Sequence, residues 1–503
     1  MKFIEKGIVV CCMLAMLACG DQSKKEENSK PSPESNTYTY DWESLRKAPV
    51  PEWFDQAKFG IFIHWGPYAV PGWSDEKTYS EWYSTRMYCD SSYRAYHEKT
   101  YGPIADHGYK EFIPKFKGEN FDANQWADIL KASGARYVIP TAEHHDGFAM
   151  YDSELTPWNS VNKGPGFDFI GLLGEAVRSK DMKFGCSYHR ERHWSFYTDA
   201  MNTYKAVAEP FDEIKVEIAN DPESALLYGP FGLTEDFMKD YKARFLEICT
   251  KYQPDFMWID DSPANSLFPE EKAVDLFINT YHKEMIADYM NMANTWGKKV
   301  YFNNKKWKRF NYPEGIGVSE KDYLRLDEIS EIKWQSSGGM AHSYGYDRTE
   351  EDASKYKTVD QLVETLIDVV SKNGNFLLDI GPKPDGTITE LQEQRLRGIG
   401  EWLSKYGEAI YGTSAWSTHG YDNLRFTRKA DALYVICLNN PDAAIQVTQT
   451  DALSKENVRS IEMIGHAGNA PEWNFNEQGL TITPPENYQK DHAIVFKVNL
   501  INQ

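Results

Sequence analysis

Cysteine is scarce in this chain: there are 7 in 503 residues. Cys11, Cys12 and Cys19 fall near the N-terminus, and the rest, Cys89, Cys186, Cys249 and Cys437, stand far apart without a CxxC pair. That spacing argues against a dense disulfide framework and against a cysteine zinc site, and the four read as mostly buried free thiols. Positive charge is also short. Lys and Arg number 55 against 75 Asp and Glu, leaving a net charge of −20, so a polyanion would be repelled and no nucleic-acid partner is expected. Long apolar runs are missing as well, because the stretch from Ile8 to Leu17 is too short to span a bilayer as a permanent helix. No internal repeat is present, and low complexity is confined to one N-terminal segment.

Aromatic residues are plentiful at 14%, with 15 Trp and 31 Tyr. Sugar-stacking surfaces and large aromatic-packed cores both use such a composition. The N-terminus carries Lys2 and Lys6, then the short apolar run, then Ala18-Cys19-Gly20. This is the pattern of a bacterial lipoprotein signal, although Met16 stands where Leu is commoner. The expectation is a signal peptide over 1–18 and lipidation of Cys19. The protein would then be secreted across the inner membrane and anchored in the periplasm or at the outer-membrane surface. Residues 19–38 are Lys, Glu, Ser, Pro and Asn without apolar periodicity and read as a disordered tether.

From about residue 55 to 410, apolar strand-like runs alternate with amphipathic helical stretches, as in βα units around a parallel sheet. The runs are 60–65, 137–143, 184–189, 256–260, 300–304 and 375–381. Over 234–251, Phe237, Tyr241, Phe245 and Ile248 recur at helical spacing and mark a buried face. Thr358 with Gln361, and Thr389 with Gln392, have the spacing of capping boxes. Six or more such units favour a closed (β/α)8-like barrel over 39–411. After residue 412 the pattern changes to alternating β-type runs between Gly, Pro, Asn and Asp turns, which predicts a small all-β sandwich over 412–503.

In a parallel barrel, functional side chains gather at the C-terminal ends of the strands. Here those ends read His64-Trp65-Gly66, Glu143-His144-His145-Asp146, Tyr188-His189, Trp258-Ile259-Asp260-Asp261 and Asn303-Asn304. Together they describe a polar, aromatic-walled cup. Neighbouring strand residues point to opposite faces, so His144 and His145 are not expected to ligate one ion, and no HExxH spacing occurs. Neither a metal nor another cofactor is expected. Neutral imidazoles, which both donate and accept, suit a polyhydroxylated ligand.

The segments KFGIFIHWG at 58–66, SEWYS at 80–84, AEHHDGF at 142–148, WID at 258–260, SYGYDR at 343–348, VVSKNGNFLLDIGPKPDGTI at 369–388 and GEAIYGT at 407–413 resemble the α-L-fucosidases of glycoside hydrolase family 29, in its bacterial broad-specificity branch. The likeness runs in register from about residue 40 to 415. It implies an exo-acting, retaining double displacement on terminal α-L-fucosyl residues, with one carboxylate attacking the anomeric carbon and another protonating the leaving oxygen. Carried over by motif, the nucleophile is Asp260. The acid/base is Glu320, reached by counting back from Trp334. The resemblance also implies a sugar pocket of His64, Glu81, Trp82, His144, His145, Tyr188, Trp258, Lys305 and Tyr344. The implied partner is a fucosylated oligosaccharide or polysaccharide, from a host glycan or an algal or sulfated fucan, and an oligomer stays open. A non-catalytic surface fucose-binding protein is the alternative reading.

Three departures stand out. Lys305 occupies a position where the family often has Arg. Gln335 replaces a Glu. The segment HRERHW at 189–194 could bring Arg190, Arg192 and His193 into a positive subsite, or form a solvated, salt-bridged loop.

Overall fold

A computed structural model describes residues 37–198, 209–260, 271–305, 312–448 and 453–501. The signal, lipidation and most of the tether expectations, and Asp261, lie outside the described residues.

Eight parallel strands close into a barrel: β1 (Phe59–Ile63), β2 (Tyr137–Glu143), β3 (Lys183–Tyr188), β4 (Phe256–Ile259), β5 (Tyr301–Lys305), β6 (Val318–Asp322), β7 (Trp334–Gly339) and β8 (Gly374–Ile380). Each pairs with the next, and β8 closes on β1 with Phe59 opposite Phe376. Strands β1, β2 and β8 are buried along their whole length, which explains their continuous apolar runs. Gly60 is required where it stands. A Cβ there would lie 2.4 Å from the Tyr137 ring, which crosses it from the paired strand.

The sequence runs did not reveal β6 and β7, because they read VSEKD and WQSSGG. Their polar side chains face one another inside the barrel: the Tyr137 hydroxyl donates to Gln335 Oε1 at 2.6 Å, and Gln335 Nε2 donates to Glu320 Oε2 at 2.7 Å. Below this layer the helix Glu52–Ala57 plugs the barrel, with Phe54 stacked on Phe256 at 5.1 Å.

The helix Glu235–Tyr252 buries Phe237, Tyr241, Phe245 and Ile248 as their spacing predicts. Thr358 and Gln361 form a reciprocal capping box. Thr389 caps its helix, but Gln392 turns away and donates to the Gly381 carbonyl at 3.1 Å.

Beyond the barrel lie eight antiparallel strands: β9 (Ser414–Tyr421), β10 (Leu424–Lys429), β11 (Ala432–Cys437), β12 (Ile445–Val447), β13 (Val458–Met463), β14 (Glu472–Asn476), β15 (Gly479–Thr483) and β16 (Ile494–Leu500). They form a five-stranded and a three-stranded sheet. Strand β11 serves two cores. Leu433, Val435 and Cys437 face the core between the two sheets, while Ala432, Tyr434 and Ile436 join the barrel core. The seam is fixed by Trp402 Nε1 donating to Ala493 O at 2.9 Å and by Thr427 Oγ1 donating to Ala409 O at 2.6 Å.

Candidate active site

The C-terminal strand ends surround a cup of about 220 Å³. Its wall takes Phe62 and His64 from β1 and the turn after it, His144 and His145 after β2, His189 after β3, Trp258 and Asp260 from β4 and its end, Lys305 from β5 and Asp322 from β6. Loops add Tyr79, Glu81, Trp82, Arg192 and Tyr344.

Asp260 sits at the floor and is 8% exposed. Its backbone position is set by Asn303, whose side chain pairs with both sides of Ile259: the Ile259 N–H donates to Oδ1 at 2.6 Å and Nδ2 donates to Ile259 O at 3.0 Å. Lys305 Nζ donates to Asp260 Oδ1 at 2.6 Å, while Oδ2 faces His145 Nε2 at 3.1 Å and His189 Nδ1 at 3.6 Å. Burial pushes the carboxyl pKa up, but the Lys305 ammonium outweighs it, and Asp260 is held well below the usual carboxylate range. It is therefore ionised at neutral pH. The lysine, at the position where an Arg was the commoner residue, makes its contact with the pocket directly through this carboxylate.

The imidazoles are buried and their pKa values are pushed down by that burial, to about 4 for His145 and well below the usual value for His64 and His144. Neutral rings can both donate and accept. His64 Nδ1 lies 2.6 Å from Asp379 Oδ1, a carboxyl whose pKa burial raises strongly, so the pair shares a proton without net charge. The expectation that His144 and His145 face opposite ways fails because β2 ends at Glu143. Past the strand end the two rings lie side by side, 4.5 Å between centroids, and both line the cup. His144 Nδ1, Trp258 Nε1 and Tyr344 Oη are buried on this wall without a hydrogen-bond partner among the described residues, the arrangement a ligand with several hydroxyls would complete.

Glu81 accepts from the Gly345 N–H at 2.9 Å, which ties the two rim loops together, and burial raises its pKa to about 8. Trp82 stands edge-on to His145 at 5.3 Å. Trp258 packs against Phe62 at 4.8 Å and stacks on His189 at 5.0 Å, giving the cup an apolar side that Tyr344 extends.

Two expected residues point elsewhere. Tyr188 is turned out of the barrel, its hydroxyl donating to the Tyr241 carbonyl at 2.9 Å; alternation along β3 sends the next side chain, His189, into the cup instead. Glu320 lies one layer below the floor, bonded to Gln335, and does not line the cup. Two residues on, Asp322 does. Its Oδ2 accepts from Lys305 Nζ at 2.7 Å and its Oδ1 accepts from Ser337 Oγ at 3.1 Å. The alternation that buries Glu320 is what brings Asp322 to the rim on the same face, a signal present in VSEKD itself. Phe62, Tyr79, His189, Arg192 and Asp322 are the cup residues that motif matching did not select.

The HRERHW segment is buried, not solvated. Arg190 is neutralised by Glu143 at 2.7 Å and Asp240 at 2.7 Å, and His193 bonds the carbonyls of His145 and Gly229. Of the three expected cations only Arg192 reaches the cup, its guanidinium 5.7 Å from the Trp82 ring centroid.

Residues 26–408, which include all eight barrel strands, match the family model described as alpha-L-fucosidase. The chain belongs to the α-L-fucosidase family. It is 30% identical to tissue alpha-L-fucosidase of Rattus norvegicus over 482 residues, covering 92% of this chain and 93% of the relative. Alpha-L-fucosidase of Dictyostelium discoideum is 32% identical over 421 residues, covering 82% and 83%. Among solved structures, the Thermotoga maritima alpha-fucosidase in complex with fucose superposes with a TM-score of 0.72 at 35% identity, over 92% of this chain and all of the other. As a member of the α-L-fucosidase family the chain is a glycoside hydrolase, with the family's barrel followed by antiparallel sheets.

Proposed function

We propose that this enzyme is an exo-acting, retaining α-L-fucosidase that removes terminal α-L-fucosyl residues from glycans, with Asp260 as nucleophile. One observation carries the reading: two carboxylates from neighbouring parts of the barrel share one ammonium. Lys305 Nζ lies 2.6 Å from an oxygen of Asp260 and 2.7 Å from an oxygen of Asp322. Those oxygens can be no farther apart than the two distances added, which does not exceed the ~5–5.5 Å of a retaining pair. Asp260, held ionised, attacks the anomeric carbon from the floor. The neutral imidazoles and Glu81 bond the sugar hydroxyls, and the Trp258, Phe62 and Tyr344 side receives the C6 methyl.

The acid/base is assigned to Asp322 in place of Glu320. Glu320 has the raised pKa of a general acid, about 8, but burial inside the barrel is its chief cause. Geometry comes first in choosing between them, and a group that lines the cup outranks one beneath it. The reading keeps a host glycan or an algal or sulfated fucan as the source of the fucosyl group.

The test is release of 4-nitrophenol from 4-nitrophenyl α-L-fucoside by the wild type, Asp260→Ala, Asp322→Ala and Glu320→Ala, with azide present. Retention with Asp260 as nucleophile yields a β-fucosyl azide from Asp260→Ala. An α-fucosyl azide from Asp322→Ala assigns the acid/base there; the same product from Glu320→Ala alone returns that role to Glu320. Binding of fucose without turnover by the wild type would favour the fucose-binding alternative.

We also carry the lipid anchor forward as a proposal resting on the Ala18-Cys19-Gly20 motif. Cys19→Ala should move the protein from the membrane fraction to the soluble fraction of a bacterial host, and an unchanged distribution would reject the anchor.

A further inference from the structure

The hydrogen bonds behind the cup fix the direction of two ring lone pairs. His145 Nδ1 lies against the His189 carbonyl, which only accepts, so Nδ1 carries the proton and Nε2 of the neutral ring is an acceptor. His189 Nε2 lies 2.9 Å from Ser187 Oγ, and that hydroxyl spends its own proton on Thr141 Oγ1 at 3.2 Å. His189 Nε2 must therefore donate, leaving Nδ1 as an acceptor. Both acceptors face a third, Asp260 Oδ2, at 3.1 and 3.6 Å. Three acceptor atoms thus converge with no proton assigned between them, all within 4.8 Å of one another.

The geometry points to a binding site for a divalent transition-metal cation, Zn²⁺ in particular, formed by His145 Nε2, His189 Nδ1 and Asp260 Oδ2, which occludes the nucleophile and inhibits the enzyme. Bonds of ~2.0–2.2 Å from imidazole and carboxylate to tetrahedral zinc place ligand atoms ~3.3 Å apart, close to the two separations found here. Each histidine also has its second nitrogen held by a carbonyl or hydroxyl, as ligating histidines do. Asp260 Oδ1 is already taken by Lys305, so the carboxylate would bind the ion through one oxygen, and the Lys305 charge is offset by Asp322 at 2.7 Å. A fourth position opens to the cup, where water would complete the tetrahedron.

The inference concerns the resting site and is read without turnover, so it fails or stands independently of the hydrolytic mechanism. The experiment is isothermal titration calorimetry of Zn²⁺ alone into the full-length, chelator-stripped protein, with and without saturating fucose. One zinc per chain is expected, weakened at least ~10-fold in His189→Ala and in His145→Ala, unchanged in His466→Ala, and displaced by fucose. Zn²⁺ should also inhibit fucoside hydrolysis competitively, with full recovery on adding EDTA. Absence of binding, binding indifferent to fucose, or wild-type affinity in the two cup variants would overturn the site. Should those variants not fold, displacement of the visible absorption of Co²⁺-loaded wild type by fucose decides the matter, since a site elsewhere would keep its spectrum.

Discussion

Asp260 and Asp368 are both buried carboxylates that burial pushes up and nearby cations pull below the ordinary range, yet they lie in regions with different tasks. Asp368, on the helix Val359–Ser371, binds the barrel to the antiparallel sheets. Lys372 Nζ reaches both its oxygens at 2.9 Å, and Arg425 Nε from β10 reaches Oδ1 at 2.7 Å. Both oxygens are occupied by cations, and the group is a clamp. Asp260 has one cation on one oxygen, while the other turns toward two imidazoles and the cup. Similar electrostatics yield a joint where both oxygens are held by cations, and a proposed nucleophile where one oxygen faces a cavity.

The comparison can be broken most forcefully at Asp260. Asp260→Ala should lower kcat on 4-nitrophenyl α-L-fucoside by on the order of 10⁴-fold or more while the protein stays folded, because the nucleophile is lost. Asp322→Asn should cost about 10²–10⁴-fold, the usual worth of a general acid, with the larger fall on substrates whose leaving group needs protonation. A leaving-group series would show this, and equal losses on good and poor leaving groups would count against the assignment.

Asp368→Ala should do the reverse. Leaving Lys372 and Arg425 unpaired at the seam should destabilise the fold by about 3 kcal/mol, read by urea denaturation, with activity per folded molecule unchanged. A loss of kcat in that variant would erase the distinction between clamp and nucleophile.

The last effects concern pH, and the two kinds of buried carboxylate differ in sign. Asp368 has a folded pKa below its usual 3.8, so it holds fewer protons in the folded than in the unfolded chain, and its contribution is lost as pH falls through that range. Glu320 rises from 4.5 to about 8 on folding, so the folded chain keeps a proton that the unfolded chain releases. Stability should therefore fall as pH rises from about 4.5 to 8, and Glu320→Gln should flatten that slope in melting temperature against pH. A slope unaltered by the substitution would place the cause in another buried carboxyl, such as Glu81, also raised to about 8, or Glu191 or Asp379, both raised well above the usual range.

Much of the cup was legible in the chain. His64, Glu81, Trp82, His144, His145, Trp258, Asp260, Lys305 and Tyr344 all reach it, since motifs at the ends of apolar strands mark where a parallel barrel presents its side chains. The errors came from direction. Motif matching names positions without saying which face or which layer they occupy, so it named Tyr188 where His189 lines the cup, and Glu320 where Asp322, on the same face but nearer the rim, lines it. Strands β6 and β7 escaped notice because their partners are one another's polar groups inside the barrel, and hydropathy cannot register such burial. The two histidines after β2 were misjudged by extending strand alternation past the last strand residue.

The sequence by itself determined the barrel, the sheets that follow it, the family and the strand-end place of Asp260, because apolar periodicity and contiguous motifs are local properties of the chain. The tertiary structure alone decided which carboxylate of β6 faces the cup, that one lysine bridges it to Asp260, and that Arg190 of HRERHW is spent on internal ion pairs while Arg192 reaches the cup. Those outcomes depend on the register between strands and on partners dozens of residues away, which fix where a side chain ends and what neutralises it.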